Sequence, residues 1–205
     1  MGLREEKKKQ KQEAILQAAL SCLAEKGYAA TKMADVAKDA GVAKGTVFEY
    51  FESKENLFYA VLEWHIDGSL SHGLMAVTRL PGDAKFRLRK FLAFSVSYCV
   101  ELLDYFIVIL EFWAAAVKPD AQQRFRIVLE GMYGEYRLIL QGLFDEGKST
   151  GIFHSHIDSL ALSSGIIGTL DGLMLQHWMD KKFNMAPAAE SYFNTLLDGV
   201  VISKE

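Results

Sequence analysis

The sequence predicts an all-α protein of about nine helices. In its long segments, apolar residues recur every three or four positions, as on the face formed by Ile15, Ala19, Cys22 and Leu23. The chain has only 3 prolines, and each falls at a break between such segments. No alternating pattern of useful length predicts a strand, and no internal repeat is present.

The first predicted helix carries that apolar face and ends at Gly27, because glycine closes many helices. Thr31 is the predicted N-cap of a short helix over 32–39, since a hydroxyl there accepts from the free N–H groups of the first turn. Gly41 breaks this helix, and a second short helix covers about 43–50.

Ser53 is predicted to cap the next helix, which runs toward Leu80. The remaining predicted elements are a helix over about 83–117 interrupted near Asp104, a helix from Pro119 toward Gly147, a loop from Gly151 to His156, a helix over about 157–181 and a last helix from Pro187.

Composition indicates a globular protein, since half of the 205 residues are hydrophobic and 24% are charged. Cys22 and Cys99 lack metal-ligand or redox spacing, which favours a reducing compartment. Met1 to Gln12 is too charged for a signal peptide. The nearest approach to a membrane span, Ile157 to Met179, is interrupted by polar residues, so we expect a cytoplasmic protein without a membrane segment.

The spacing of three residues predicts a helix-turn-helix. Ala37, Gly41 and Val47 lie at offsets 0, +4 and +10. Two short helices that cross steeply need a small residue at their contact, a turn residue that tolerates positive φ, and an apolar anchor in the second helix. We therefore expect the second helix to face a nucleic acid.

A helical wheel places Val47 inward and points Gly45 and Glu49 outward together, with Thr46 and Phe48 on either side. The missing side chain at Gly45 lets another surface approach the backbone closely. A helix that enters a major groove has this need.

Charge supports an anionic partner only weakly. The formal net charge is −3, yet residues 1–54 hold 10 Lys and Arg against 8 Asp and Glu. Lys44 and the N-terminus of its helix favour phosphate. Two alternatives stay open for Lys7, Lys8, Lys9 and Lys11: a solvated helix start, or an arm that touches DNA.

The segment GYAATKMADVAKDAGVAKGTVFEYFESKENLFYAVLE, from Gly27 to Glu63, resembles the DNA-binding domain of tetracycline-repressor-type (TetR family) regulators. The resemblance implies a three-helix DNA-binding domain over 1–54 and a helical ligand-binding and dimerisation domain over 55–205. It also implies a homodimer, joined through its last two helices, that represses transcription from a palindromic operator until a small molecule releases it.

Carried over by position, and with the outward Gly45, the predicted DNA-binding residues are Thr31, Lys32, Lys44, Gly45, Thr46, Phe48, Glu49, Tyr50 and Lys54. Two positions depart from the family pattern. Phe48 stands where a tyrosine hydroxyl commonly reaches phosphate, and Glu49 stands where histidine is frequent. A carboxylate there repels phosphate but can accept from a cytosine amino group.

The second half is rich in aromatic residues, which are either core or the lining of a pocket for an apolar or aromatic molecule. The predicted ligand-binding residues are Phe94, Tyr98, Phe112, Trp113, Tyr133, Tyr136, Met174 and Trp178. An inward-facing carboxylate among Glu101, Asp104 and Glu111 would favour a cationic ligand. His177 is either a ligand contact or a satisfied core histidine.

Small residues share one face of the helix over about 157–181, namely Ala161, Gly165, Gly168 and Gly172. They permit close helix packing, either inside the subunit or, as the resemblance suggests, across a dimer interface. We expect neither metal nor cofactor. No catalytic motif is present, so we expect no enzyme; an enzyme that uses the aromatic cavity and a helical interaction module remain the alternatives.

Overall fold

The computed structural model describes residues 2–65, 71–117 and 123–202. These residues form helices and no strand, which confirms the all-α prediction. The helices are Leu3–Ala30 (α1), Met33–Asp39 (α2), Lys44–Phe51 (α3), Lys54–His65 (α4), Ser71–Thr78 (α5), Ala84–Leu102 (α6), Phe106–Ala116 (α7), Gln123–Ser149 (α8), Ser159–Met179 (α9) and Met185–Val200 (α10). A 3₁₀ turn at Leu103–Tyr105 provides the predicted interruption near Asp104.

Two differences concern helix starts. The last helix begins at Met185, two residues before Pro187, because the Asn184 side chain caps it by accepting from the N–H of Ala186. The predicted start of α8 at Pro119 lies outside the described residues, as does part of the segment between Ser53 and Leu80.

By packing, the chain forms two compact units. The first unit comprises Met1–Gly68 and Asp104–Leu129, and the second comprises Ser69–Leu103 and Glu130–Glu205. Helix α7 and the start of α8 therefore belong with α1 to α4. The division at residues 54 and 55 is a division by role and stays a prediction.

The core of the first unit includes the predicted apolar face of α1, since Ile15, Ala19, Cys22 and Leu23 are all buried. The Cys22 thiol lies 3.2 Å from a carboxylate oxygen of Asp39. Burial and this carboxylate raise the pKa of Cys22 to about 11, so the thiol stays protonated at neutral pH.

Gly27 breaks α1 where the sequence predicts, with φ +73°, but a short helical turn continues beyond it to Ala30. The predicted role of Thr31 as N-cap is wrong. Lys32 precedes α2 without any side-chain cap, and the Thr31 hydroxyl turns back to lie 2.7 Å from the carbonyl oxygen of Gly27. The Gly27 carbonyl also accepts from the backbone N–H of Thr31 at 3.2 Å, so the hydroxyl adds a second bond to the last turn of α1.

Ser53 caps α4 as predicted, because its hydroxyl oxygen lies 3.0 Å from the N–H of Asn56. Whether a hydroxyl caps the following helix thus depends on which other acceptors lie within its reach. Ser53 has no kinked helix behind it, whereas Thr31 does.

Two charged side chains hold the kink in α1. Both carboxylate oxygens of Glu111 lie 2.8 Å from the backbone nitrogen of Tyr28. On the other side, the Lys54 ammonium lies 2.8 Å from the carbonyl oxygen of Tyr28 and 4.3 Å from the centre of its ring. A Cβ on Gly27 would lie 2.9 Å from Glu111, so both φ and space require glycine here.

An aromatic cluster packs beside the kink inside the first unit. Phe58 stacks on Phe112 with 4.4 Å between ring centres, and it also contacts Tyr28 and Phe125. Such ring pairs contribute about 0.5–1.5 kcal/mol each beyond their buried area. The cluster ties α4 and α7 to the end of α1.

The second unit is built around α6, α8, α9 and α10. A hydroxyl network lies in its interior: the Tyr136 hydroxyl donates to Ser95, 2.5 Å away, and the Ser95 hydroxyl donates to the carbonyl of Phe91. Arg87 and Glu146 form an ion pair between α6 and α8. Burial raises the pKa of Tyr136 far above its usual value, so this network does not titrate near neutral pH.

One stretch of the described residues, Ala84–Ala116, is long and apolar enough to span a membrane by length and composition alone. The expectation that Ile157 to Met179 comes nearest to a span was therefore wrong. The 3₁₀ turn divides this stretch, and its largest side chains, such as Phe91 and Phe106, are buried inside the two units. Core helices of soluble proteins pass the same test.

We predict that Glu111→Ala destabilises the protein by about 1–3 kcal/mol, because the half-buried N–H of Tyr28 loses its acceptor. Urea unfolding at one fixed protein concentration measures the change. Glu101→Ala removes an exposed carboxylate from α6 and should change stability by less than about 0.5 kcal/mol. Equal effects of the two substitutions would contradict the proposed role of Glu111 at the kink.

Candidate nucleic-acid interface and regulatory interior

Helices α2 and α3 take the predicted helix-turn-helix geometry. Ala37 and Val47 are buried, Val47 completely, and Gly41 has φ +66° in the turn between the helices. The N–H of Val42 donates to the carbonyl of Ala37 at 2.9 Å, which closes the end of α2. All three positions therefore have the conformation or burial that the spacing predicts.

The outward face of α3 is exposed as the helical wheel predicts. Lys44, Gly45, Phe48 and Glu49 are exposed, and Thr46 is half-buried. No atom lies within 4 Å of the place where a Cβ of Gly45 would stand, so packing within the chain does not require glycine there. Phe48 leaves 40% of its surface exposed, so an apolar ring is available on this face.

Two of the predicted DNA-binding side chains are engaged elsewhere. Thr31 is only 3% exposed, and its hydroxyl serves the kink in α1. The Lys54 ammonium lies among three backbone carbonyl oxygens at that kink, those of Tyr28, Ala29 and Thr31. A lysine near carbonyls that end a helix also neutralises their partial negative charge. Lys32 remains exposed at the start of α2.

A further surface feature lies beside α3. The first turns of α1 face the turn between α2 and α3 across an open cleft of about 730 Å³. We call this the basic cleft; its lining residues are Arg4, Glu5, Lys7, Lys8, Gln10, Lys11, Ala14, Ala40, Val42 and Tyr50. The predicted DNA contact Tyr50 points into it, with its hydroxyl 3.4 Å from the carbonyl oxygen of Lys8.

The eight predicted ligand-binding residues are divided between the two units. Phe112 and Trp113 belong to the first unit, where Phe112 is part of the aromatic cluster. The other six belong to the second unit: Phe94, Tyr98, Tyr133, Tyr136, Met174 and Trp178. Of these six, Trp178 is 39% exposed, whereas Tyr98, Tyr136 and Met174 are buried.

The interior carboxylate of the second unit is Asp171, which the sequence analysis did not single out. The Tyr133 hydroxyl donates to it at 3.0 Å, and burial raises its pKa to about 6. Burial and the charge of Asp171 also raise the pKa of Cys99, to about 12. The sequence did contain a signal for this site, because Asp171 is an acid inside the most apolar part of α9. The sequence analysis used the polar residues of this segment only as an argument against a membrane span.

The three carboxylates that the sequence analysis named are placed differently. Glu101 and Asp104 are exposed, and Glu111 is bonded to the backbone of Tyr28. His177 is half-buried and its Nδ1 lies 2.6 Å from the carbonyl oxygen of Phe183, as expected of a satisfied histidine. Among the residues that the structure describes, no three metal-ligating side chains gather.

The small-residue face of α9 is open to solvent. Ala161, Gly165 and Gly168 are exposed, Gly172 is half-exposed, and nothing lies within 4 Å of a Cβ built on any of the three glycines. Large apolar side chains are exposed on the same helix and on α10, namely Leu160, Leu175, Trp178, Met179 and Tyr192. Exposed apolar surface of this extent is typical of a protein interface.

Two family models match separate segments of the chain. Residues 15–61 match the family model described as bacterial regulatory proteins, tetR family, and residues 114–199 match that of the YsiA-like protein, C-terminal region. The fatty acid metabolism regulator protein of Bacillus subtilis (strain 168) is 26% identical over 192 residues, which cover 91% of this chain and 93% of that protein.

Solved structures share the fold. A TetR transcription regulator from Haloarcula marismortui superposes with a TM-score of 0.81 at 20% identity, covering 95% of this chain and all of the other. The regulator FadR from Bacillus subtilis, solved in complex with stearoyl-CoA, gives a TM-score of 0.72 at 23% identity over 92% of this chain and 98% of its own.

We predict that Asp171→Asn stabilises the protein at pH 8 by about 1–3 kcal/mol, and that this gain shrinks below about pH 6. A carboxyl with a folded pKa of about 6, against about 3.9 unfolded, penalises folding when it is charged. The penalty is complete above the folded pKa and disappears as the pH falls toward the unfolded one. Chemical unfolding of both proteins at pH 5 and pH 8 measures the difference; a gap independent of pH would contradict it.

Proposed function

Because the chain belongs to the tetR family of bacterial regulatory proteins, we propose that it is a dimeric, cytoplasmic repressor, not an enzyme. It binds a palindromic operator and is released by a small apolar molecule. The observation that carries this proposal is the outward face of α3, where packing within the chain does not require glycine at Gly45 and the ring of Phe48 is 40% exposed beside Lys44. A helix inserted in a major groove uses such a face.

Within this proposal, the exposed residues of α3 divide by role. Lys44 contacts phosphate together with the N-terminus of its helix, and Gly45 allows close approach of the backbone to the groove. Phe48 contacts apolar parts of the bases, such as a thymine methyl group, in place of the phosphate contact that a tyrosine hydroxyl makes. Glu49 accepts from a cytosine amino group.

The proposed effector carries a long acyl chain. Two observations support this. A Bacillus subtilis relative is named for fatty acid metabolism, and the similar regulator FadR was solved in complex with stearoyl-CoA. In addition, the candidate residues of the second unit are mainly aromatic or thioether side chains. Tyr133 and Asp171 supply a polar anchor beside them. Ligand pockets commonly combine an apolar lining with a few polar groups of this kind.

Release follows from linkage. An effector that lowers affinity for the operator must itself bind more weakly to the operator complex, by the same factor. A coupling of about 1–3 kcal/mol, or roughly 5–150-fold in affinity, is the usual range. The acyl compound therefore has to favour a protomer arrangement in which the two α3 helices no longer fit two half-sites.

The proposed dimer uses the open face of α9 together with α10. A stable interface of this kind buries more than about 1,000 Å² and is more apolar than the rest of the surface. Gly165 and Gly168 let a partner helix approach closely, and the exposed Leu175, Met179 and Tyr192 supply apolar area around them. Two bound half-sites then require two joined protomers.

The proposed function predicts specific, effector-sensitive binding to DNA from upstream of the gene for this chain. We expect the protein to protect two half-sites about one helical turn apart, and a long-chain acyl-CoA to weaken that binding. Fluorescence anisotropy at fixed salt measures the affinity for this DNA with and without the acyl-CoA, and compares it with the affinity for a random-sequence duplex. Equal affinity for both duplexes would contradict the proposal.

The same titration, repeated over single-base variants of the site, tests Glu49. Glu49→Gln keeps the size and removes the charge, so the variant should bind random DNA more tightly. Its preference at one operator position should also relax by about 1–3 kcal/mol. An equal gain on every duplex would show that Glu49 reads no base and acts only as a repelling charge.

We predict that Gly168→Leu raises the dimer dissociation constant by about tenfold or more, because overpacking a close contact costs about 1–3 kcal/mol. Operator affinity should fall with it. Gly142→Leu is the matched control, since Gly142 is also an exposed glycine in a helix with open space around it. Analytical ultracentrifugation measures both variants, and dimers of unchanged strength in Gly168→Leu would place the interface elsewhere.

A further inference from the structure

The distribution of charge in the proposed DNA-binding part is unexpected. Residues 12–54, which include all of α2 and α3, hold five Lys and Arg against six Asp and Glu. Residues 2–11 hold five Lys and Arg against two Glu. The helix-turn-helix itself is therefore slightly acidic, and the positive balance of this part of the chain comes entirely from the first turns of α1.

These turns lie outside the part of the chain that the tetR family model matches, which begins at residue 15. They are helical, since α1 begins at Leu3. Glu5 helps to start the helix by accepting from the N–H of Gly2. The cations are thus carried on a formed helix and occupy defined positions around it.

Helical geometry sorts the cations into two faces. Arg4, Lys7, Lys8 and Lys11 line the basic cleft, as positions three and four apart on one helix face do. Lys9 does not line it, and its ammonium lies 3.7 Å from the carboxylate of Glu13 instead. Four of the five cations therefore converge on one cleft, with Glu5 as the one acid in its lining.

The cleft borders the helix-turn-helix. Its opposite wall is formed by Ala40, Val42 and Tyr50, which lie in the turn before α3 and in its last turn. Tyr50 bridges the two walls through its hydroxyl at Lys8. When α3 lies in the major groove of a duplex, the sugar–phosphate strands run along both edges of that groove, next to α3.

We propose that the basic cleft binds the phosphate backbone of DNA next to the base pairs that α3 faces, and that Arg4, Lys7, Lys8 and Lys11 provide most of the salt-dependent affinity. This inference rests on the proposed DNA binding and assigns its electrostatic part to residues outside the helix-turn-helix. Phosphate contacts supply most of the non-specific affinity of a DNA-binding protein. An acidic helix-turn-helix cannot supply it alone.

A membrane surface is the other anionic partner that a basic helix can bind, and the sequence of α1 argues against it. Residues 4–13 contain no hydrophobic residue, so the helix has no apolar face to bury among lipids. A duplex needs no such face. Its regular line of phosphates matches cations that are spaced along one side of a helix.

The test compares neighbouring lysines. Lys8→Gln and Lys9→Gln each remove one exposed charge from the same helix, one residue apart, and glutamine preserves helix propensity. Binding to a random-sequence duplex of about 30 base pairs is measured by anisotropy between about 50 and 200 mM salt. We expect Lys8→Gln to reduce the slope of log K against log salt by about 0.9 per protomer, and Lys9→Gln to change it little.

Lys8→Arg should keep the wild-type slope, because it restores the charge at the same place. Equal slopes for Lys8→Gln and Lys9→Gln, whether both reduced or both unchanged, would overturn the assignment to the cleft while leaving DNA binding intact. A wild-type protein without salt-dependent binding to the duplex would overturn the proposed function as well. Loss of binding to anionic vesicles by Lys8→Gln, with duplex binding retained, would assign the cleft to membranes.

Discussion

The break in α1 at Gly27 is the constraint on which the first unit depends. A positive φ at this residue ends the regular hydrogen bonding of a long helix and exposes backbone groups of both signs within one turn. The free N–H of Tyr28 is satisfied by Glu111 from α7, and the carbonyl oxygen of Tyr28 accepts from Lys54 of α4. One break in the backbone therefore fixes three helices, and the turn from α1 into α2 is held by charged partners on both sides.

In the second unit, some interior polar groups are paired through neutral hydroxyls and others through charged side chains. Its hydroxyl network from Tyr136 through Ser95 ends on a backbone carbonyl and carries no charge. Asp171 is a carboxylate that burial opposes, and the Tyr133 hydrogen bond offsets that cost only in part. Natural proteins retain such unfavourable groups mainly where function needs them. This reasoning supports the place of Asp171 beside the proposed effector.

Local patterns predicted the parts of this structure that depend on local geometry. The burial of Val47, the exposure of Gly45 and the positive φ of Gly41 follow from spacing within 11 residues, because short helices leave few alternatives. Thr31 was misassigned as an N-cap because its hydroxyl donates to the carbonyl of Gly27 at the kink. That kink is held by side chains from α4 and α7, which are distant in the sequence. Lys54 was assigned to DNA by position alone, and its ammonium lies among three carbonyl oxygens at the kink. Asp171 could not be placed, since burial of an acid is a property of the packed unit.

Both thiols of this chain have low reactivity in the folded protein. Cys22 and Cys99 are its only two cysteines. Both are buried, with their pKa raised to about 11 and about 12. Thiolate is the reactive form, so neither residue is suited to sensing oxidants or to rapid alkylation in the folded protein. The native chain can therefore serve as a background for site-specific spectroscopy: a cysteine introduced on the exposed face of α3 or α9 would take a maleimide dye selectively, without prior removal of the natural pair.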